Sequence, residues 1–157
     1  MSGRSRHSSD SSQRYQNLKR RDVEQFDSTQ QALPEKIRAR CRHVLTENSR
    51  TLEAARILTL GDFKSLGRLM FQSHESLRRD FEVTIPQLDL LVESAAKLDY
   101  VAGSRMTGGG FGGCTISLVH RICIEDFRTV LSRQYGEVFG VQPLFMEAVP
   151  SMGAREF

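Results

Sequence analysis

The sequence predicts an α+β domain in which an antiparallel sheet is covered on one face by helices. Three observations carry that expectation. Apolar residues recur at helical spacing up to about residue 98, two extended segments flanking a glycine-dense turn follow, and a last helix and an apolar segment close the chain. With 157 residues, 39% of them apolar, the chain has enough Leu, Ile, Val and Phe for one core.

Residues 1–17 hold six serines, three arginines and almost nothing to bury, which predicts a disordered tail ahead of a folded domain at 18–157. Asp10 and the lack of an apolar face argue against an organelle transit peptide there. Pro34 and Glu35 suit the first turn of a helix over roughly 35–59, with Ile37, Cys41, Val44, Leu45, Leu52, Ala55 and Leu58 as its apolar side and Gly61 as its stop. Asp62 is a good N-cap for a second helix to about Arg79, bearing Phe63, Leu66, Leu69, Met70 and Leu77 on one face and running antiparallel to the first. Phe81 to Ile85 reads as extended. Thr84 and Pro86 then open a third helix that buries Leu88, Leu91, Val92 and Ala95 and stops near Leu98. Tyr100 to Thr107 and Cys114 to Val119 read as strands, Ile124 to Phe139 as a helix, and Pro143 to Val149 as a closing strand.

Ten of the 22 Lys and Arg and five of the 19 acids lie in residues 1–42, so the folded part is slightly acidic and the net charge of +3 belongs to the front end. No stripe of bases interleaved with aromatics marks a nucleic-acid surface, and none is expected. Cys41, Cys114 and Cys123 have no zinc or redox spacing, which fits a reduced, cytoplasmic setting. No run approaches the ~18 apolar residues of a membrane span.

Six of the 12 glycines fall between Gly103 and Gly113. Gly108-x-Gly110-x-x-Gly113 matches the dinucleotide fingerprint as a string, but a strand follows where that fingerprint needs a helix. A P-loop needs a lysine at its end, and no lysine occurs after Lys97. A plain hairpin remains open as a reading, yet one or two glycines suffice for that. Five glycines in six residues point to consecutive amides forming a concavity for an anion.

The run Gly103-Ser-Arg-Met-Thr-Gly-Gly-Gly-Phe-Gly-Gly-Cys-Thr-Ile-Ser-Leu118 resembles the third signature of the galactokinases, members of the GHMP small-molecule kinase superfamily. Ser73-His-Glu-Ser-Leu-Arg-Arg-Asp-Phe-Glu-Val-Thr-Ile-Pro-Gln-Leu-Asp89 is similar to the segment that precedes this signature, and Arg40-Cys-Arg-His-Val44 to the family's Arg-Ala-Arg-His-Val. Ser151 to Arg155 looks like the family's end, and Arg21-Asp-Val23 is the earliest similar piece. Arg79 and Gln87 depart from the usual Asp and Glu. The family's sugar-binding Gly-Arg-x-Asn-Leu-Ile-Gly-Glu-His and phosphate-cradling Gly-Leu-Ser-Ser-Ser-Ala strings do not occur.

The resemblance implies the C-terminal half of a GHMP-type kinase that transfers the γ-phosphoryl of ATP, with Mg2+, to the C1 hydroxyl of galactose or a similar sugar. It implies no catalytic residue and no metal ligand in this chain. Sugar and ATP would bind only with the missing first half, and Thr107, Gly108, Gly109, Gly110, Phe111, Gly112 and Gly113 would wall the nucleotide cleft, with Arg105 as a further phosphate contact. The alternative is a non-catalytic regulatory or interaction domain derived from a sugar kinase. For single residues the plainer expectations are that His74 is a surface or interface hydrogen-bonding group and that Arg105 faces solvent or pairs with an acid. Arg78, Asp80 and Glu82 are expected in charge pairs, Cys114 under close-packed backbone, and Phe111 as a buried anchor.

Overall fold

The structure, a computed structural model, describes residues 23–149, so the expected tail at 1–17 and the segment 151–155 lie outside the described residues. Helix α1 runs Glu35–Leu60 and ends at Gly61, whose φ of 69° is the left-handed C-cap that only glycine adopts freely. Helix α2 (Phe63–Ser76) starts where the Asp62 carboxylate accepts the Ser65 amide, as its N-cap position predicts. A π-helical turn, Leu77–Phe81, follows, then α3 (Pro86–Ala95), strands β1 (Val101–Thr107) and β2 (Cys114–Val119), and α4 (Ile124–Phe139). Helices packed on a two-stranded antiparallel sheet bear out the predicted class.

Two helical faces differ from expectation. Ile37, Val44, Leu52 and Leu58 of α1 are exposed, whereas His43 and Ile57 are buried, with Glu47 and Arg50 half-buried between them. On α2 the buried residues are Gly67, Ser73, His74 and Ser76, and Phe63 lies open to solvent. The helices thus meet through polar side chains: Ser73 Oγ donates to Glu47 at 2.7 Å, and His43 Nδ1 lies 3.0 Å from Ser76 Oγ. Ser76 gives its one proton to Asp80 at 2.9 Å, so His43 is the donor in the first of these bonds. The His43 ring also lies against Phe81 at 4.7 Å between centroids. Apolar periodicity finds the apolar side of a helix, which here is not the side facing its neighbour.

Helix α3 behaves as predicted, burying Leu88, Val92 and Ala95, although Ile85 rather than Thr84 is its N-cap and no side chain caps it. Pro86 at the first turn has no amide to satisfy, which lowers the need for a cap. Ala95, Val101, Phe127 and Leu131 form one core cluster, joined by half-buried Val119 and Phe145; Val83, Leu88 and Met106 form a second.

Strand β1 carries an extra residue, Ala102, between the pairs Val101↔Val119 and Gly103↔Leu118. The α2 backbone meets it there. A Cβ on Gly67 would stand 1.7 Å from the Ala102 carbonyl oxygen, and one on Gly103 would stand 2.3 Å from the Gly67 Cα. The segment 143–149 is not a strand: Phe145 packs on the core while Leu144, Met146 and Val149 are exposed. Among the described residues the sheet has only β1 and β2, and the closing segment does not pair with the free outer edge of β2.

Candidate functional site

The turn from Thr107 to Cys114 rises at the open end of the hairpin. Gly108, Gly110, Phe111, Gly112 and Gly113 all have φ between 57° and 140°, a run of left-handed backbone that explains the glycine density. Beside Gly108, Gly109 and Gly112 the space is clear for at least 4 Å from where a Cβ would sit. The turn is therefore not plugged by the protein's own side chains.

Its midpoint is tied down. The Phe111 amide donates to the Val83 carbonyl at 2.8 Å, and Gly110 sits so close that a Cβ would be 2.4 Å from that same oxygen. Val83 is itself fixed, since its amide donates to the Leu77 carbonyl at 3.1 Å after Glu82 reverses the chain at φ 60°. The anchor is thus the Phe111 main chain. Its side chain is 76% exposed, which corrects the expectation of a buried ring: with the amide turned inward and φ at 57°, the side chain is directed to solvent.

The strand feeding the turn is held through Arg105 and Met106. Met106 is 1% exposed, and its amide donates to His74 Nδ1 at 3.2 Å, while its carbonyl accepts Arg105 Nε at 3.0 Å. The far side of His74 reaches Asp89 of α3 at 3.1 Å. His74 is accordingly a buried bridge between elements rather than a surface group, and burial lowers its pKa against a weaker raising effect from Asp89. Arg105 pairs with Glu47 at 3.0 Å, the second of the alternatives expected for it, and so its guanidinium is committed behind the turn.

Glu47 gathers Ser73, Arg50 and Arg105 around one carboxylate. Burial raises its pKa, but the hydrogen bonds from Ser73 and Arg50 and the charges of Arg105 and Arg50 outweigh that, so the group stays ionised below the usual carboxylate range. The sequence reading missed this residue. The signal was present as His43, Glu47 and Arg50 at i, i+4 and i+7, a helical stripe of groups able to bond one another.

Arg78, Asp80 and Glu82 do form charge pairs, but with other elements: Arg78 with Asp89 and Glu93, Asp80 with Arg42, and Glu82 with Lys36 and Arg40. Cys114 is exposed, not covered by backbone, because β2 begins at the margin of the fold. A groove of ≈ 1470 Å³ opens beside the turn, lined by Gly113 and Cys114 at one end and by Arg68, Tyr135 and Phe145 elsewhere. Thr107 to Gly112 stand outside it, so of the seven turn residues expected to wall a cleft, Gly113 alone lines this groove.

A nucleotide's phosphates need donors in an open, preshaped backbone concavity, and the clear space at Gly108, Gly109 and Gly112 on an anchored turn fits that need. Among the described residues no three His, Cys, Asp or Glu stand together as a metal-holding group. No described helix is long and apolar enough to cross a membrane.

Comparison with known proteins bears on this geometry. The family model for the GHMP kinases C terminal matches residues 51–136, a stretch that includes α2, the His74 bridge and the glycine turn. The galactokinase of Roseiflexus sp. (strain RS-1) is 49% identical over 122 residues, covering 76% of this chain and 31% of that protein. The crystal structure of Lactococcus lactis galactokinase complexed with galactose superimposes with a TM-score of 0.73 at 41% identity, over 76% of this chain and 31% of that one. The chain thus spans about a third, not half, of the length of the galactokinases it matches.

Proposed function

Since this chain belongs to the GHMP kinase C-terminal family, as a homologue of the galactokinase C-terminal region, we propose that it is the C-terminal part of an ATP-dependent sugar 1-kinase and that its glycine turn borders the nucleotide phosphates. The observation that carries the reading is the anchored turn with clear space over Gly108, Gly109 and Gly112, within a stretch that matches the family. Galactose is the expected sugar, because the matched relatives are galactokinases and one is described in complex with it. The domain would span 18–157 and act in the cytoplasm.

Phosphoryl transfer depends on positioning and on stabilising charge over the transferring oxygens, and little covalent work falls to the protein. Bound Mg-ATP supplies the phosphoryl group and the metal's charge. The chain's own contribution is a rigid backbone surface: Val83 fixes the middle of the turn, and Met106 fixes its entry. Thr107 and Gly108 to Gly113 are the nucleotide-side residues, whereas Arg105 acts behind them. On this reading the group that accepts the sugar hydroxyl's proton, and the cation's ligands, would come from outside this chain.

The test mixes the chain with a galactokinase fragment covering the remaining two thirds and follows galactose-dependent ADP formation. Neither part alone should form ADP, and the mixture should. Gly109→Asp, at a position with clear space and ordinary φ, should leave folding intact and raise the KM for ATP at least roughly tenfold by placing a carboxylate beside the phosphates. Turnover by this chain alone, or an unchanged KM in Gly109→Asp, would overturn the proposal.

A further inference from the structure

The glycine turn departs from β1 one residue after Met106, and Met106 belongs to a strand edge that no second strand covers among the described residues. An amide buried at such an edge needs an acceptor, and His74 supplies it from α2. The bond also decides the state of the ring. A backbone N–H can only donate, so Nδ1 must present its lone pair, and the ring proton must sit on Nε2, where it is donated to Asp89 at 3.1 Å. A doubly protonated ring would turn an N–H toward the Met106 N–H and break the link.

We propose that His74 is the positioning residue of the glycine turn: a neutral imidazole, held protonated on Nε2 by Asp89, whose Nδ1 accepts the Met106 amide and thereby fixes where the turn begins. The charged groups acting on the ring are Asp89 on α3, Arg78 on the π-helical turn and Glu75 on its own helix. Desolvation is the largest influence and favours the neutral ring, in keeping with the geometry. Asp89 in turn is held by Arg78 at 3.4 Å, so the chain of contacts runs from Arg78 through Asp89 and His74 to Met106. On acidification the ring gains a proton, Met106 loses its acceptor, and the order of the turn falls while the α4 core is untouched. The link to the turn is independent of the proposed nucleotide role; only its effect on ATP binding rests on that reading.

The experiment uses the 157-residue chain labelled with 15N. Imidazole spectra at neutral pH should show Nδ1 unprotonated and Nε2 protonated, and hydrogen exchange reads the turn amides against those of α4. Two variants separate the two bonds. In His74→Asn the shorter amide can place its oxygen near the Nδ1 position and accept from Met106, but it falls short of Asp89. In His74→Gln the longer amide can reach Asp89 and leaves Met106 without an acceptor.

Exchange at Met106 and at Phe111, the turn amide bonded to Val83, should rise roughly tenfold in His74→Gln and stay near the parent value in His74→Asn, as expected for one lost buried hydrogen bond. An Nδ1-protonated tautomer in the parent overturns the proposal, even where a variant fails to fold. So does equal loosening, or none, in the two variants. If turn order follows His74 as stated but affinity for ATP in the complemented enzyme does not, the positioning role stands and the nucleotide reading fails.

Discussion

Gly67 of α2 and Gly103 of β1 occupy each other's side-chain space, each so near the other's backbone that neither position has room for a Cβ. This contact at the Ala102 bulge sets the distance between helix and strand, and hence the reach of His74 toward Met106. Gly67→Ala should therefore destabilise the chain by about 3 kcal/mol or more, although alanine is the better helix former by about 1 kcal/mol. Urea unfolding measures the difference, and a midpoint equal to the parent's would show that the helix can lift away freely.

Phe111 makes the opposite case. Its ring is exposed and its φ is 57°, a conformation that costs a non-glycine residue about 1 kcal/mol. Phe111→Gly should leave the melting temperature unchanged or slightly higher. A clear fall would reveal an unseen contact for the ring.

The two buried histidines predict acid sensitivity. Burial is the leading influence on both His43 and His74 and lowers both from 6.5. A group whose folded pKa is depressed binds its proton more readily when unfolded. Stability is therefore full above about 6.5, falls as pH drops below it, and levels off once both rings are charged in the folded state. Denaturant midpoints between pH 8 and 5 test this, and a midpoint that rises on acidification would contradict it.

Glu47→Gln keeps the shape but removes the charge that Arg50 and Arg105 share. The loss should be about 2 kcal/mol, because the half-buried Arg105 keeps its charge without a counterion. Thermal melts of Glu47→Gln, Arg105→Met and the double variant supply the cycle, in which the double loss should be smaller than the two single losses added together.

The legible parts of this fold are those where one physical rule acts alone. Gly61 and Asp62 marked a helix end and a helix start by conformation and capping, and the periodicity of α4 placed both of its ends. The inward face of α1 was not legible, because polar partners on α2 draw Glu47 and His43 inward against their hydropathy. Segment 143–149 has the alternation of a strand, but alternation says nothing of whether a segment pairs, and this one packs Phe145 on the core without joining the sheet. At the site, glycine density gave away the turn. That Phe111 would anchor it by its main chain depends on Val83, twenty-eight positions earlier, which no local pattern connects to it.

Strand β2 carries Ile116 half out of the surface beside a row of backbone donors and acceptors that no described strand engages. Such a ribbon is a template, and the nearest matching ribbon in a concentrated solution is the one on another molecule. Crowding, more than heat, will set how long a purified sample stays monodisperse, and a lysine at position 116 is the simplest remedy.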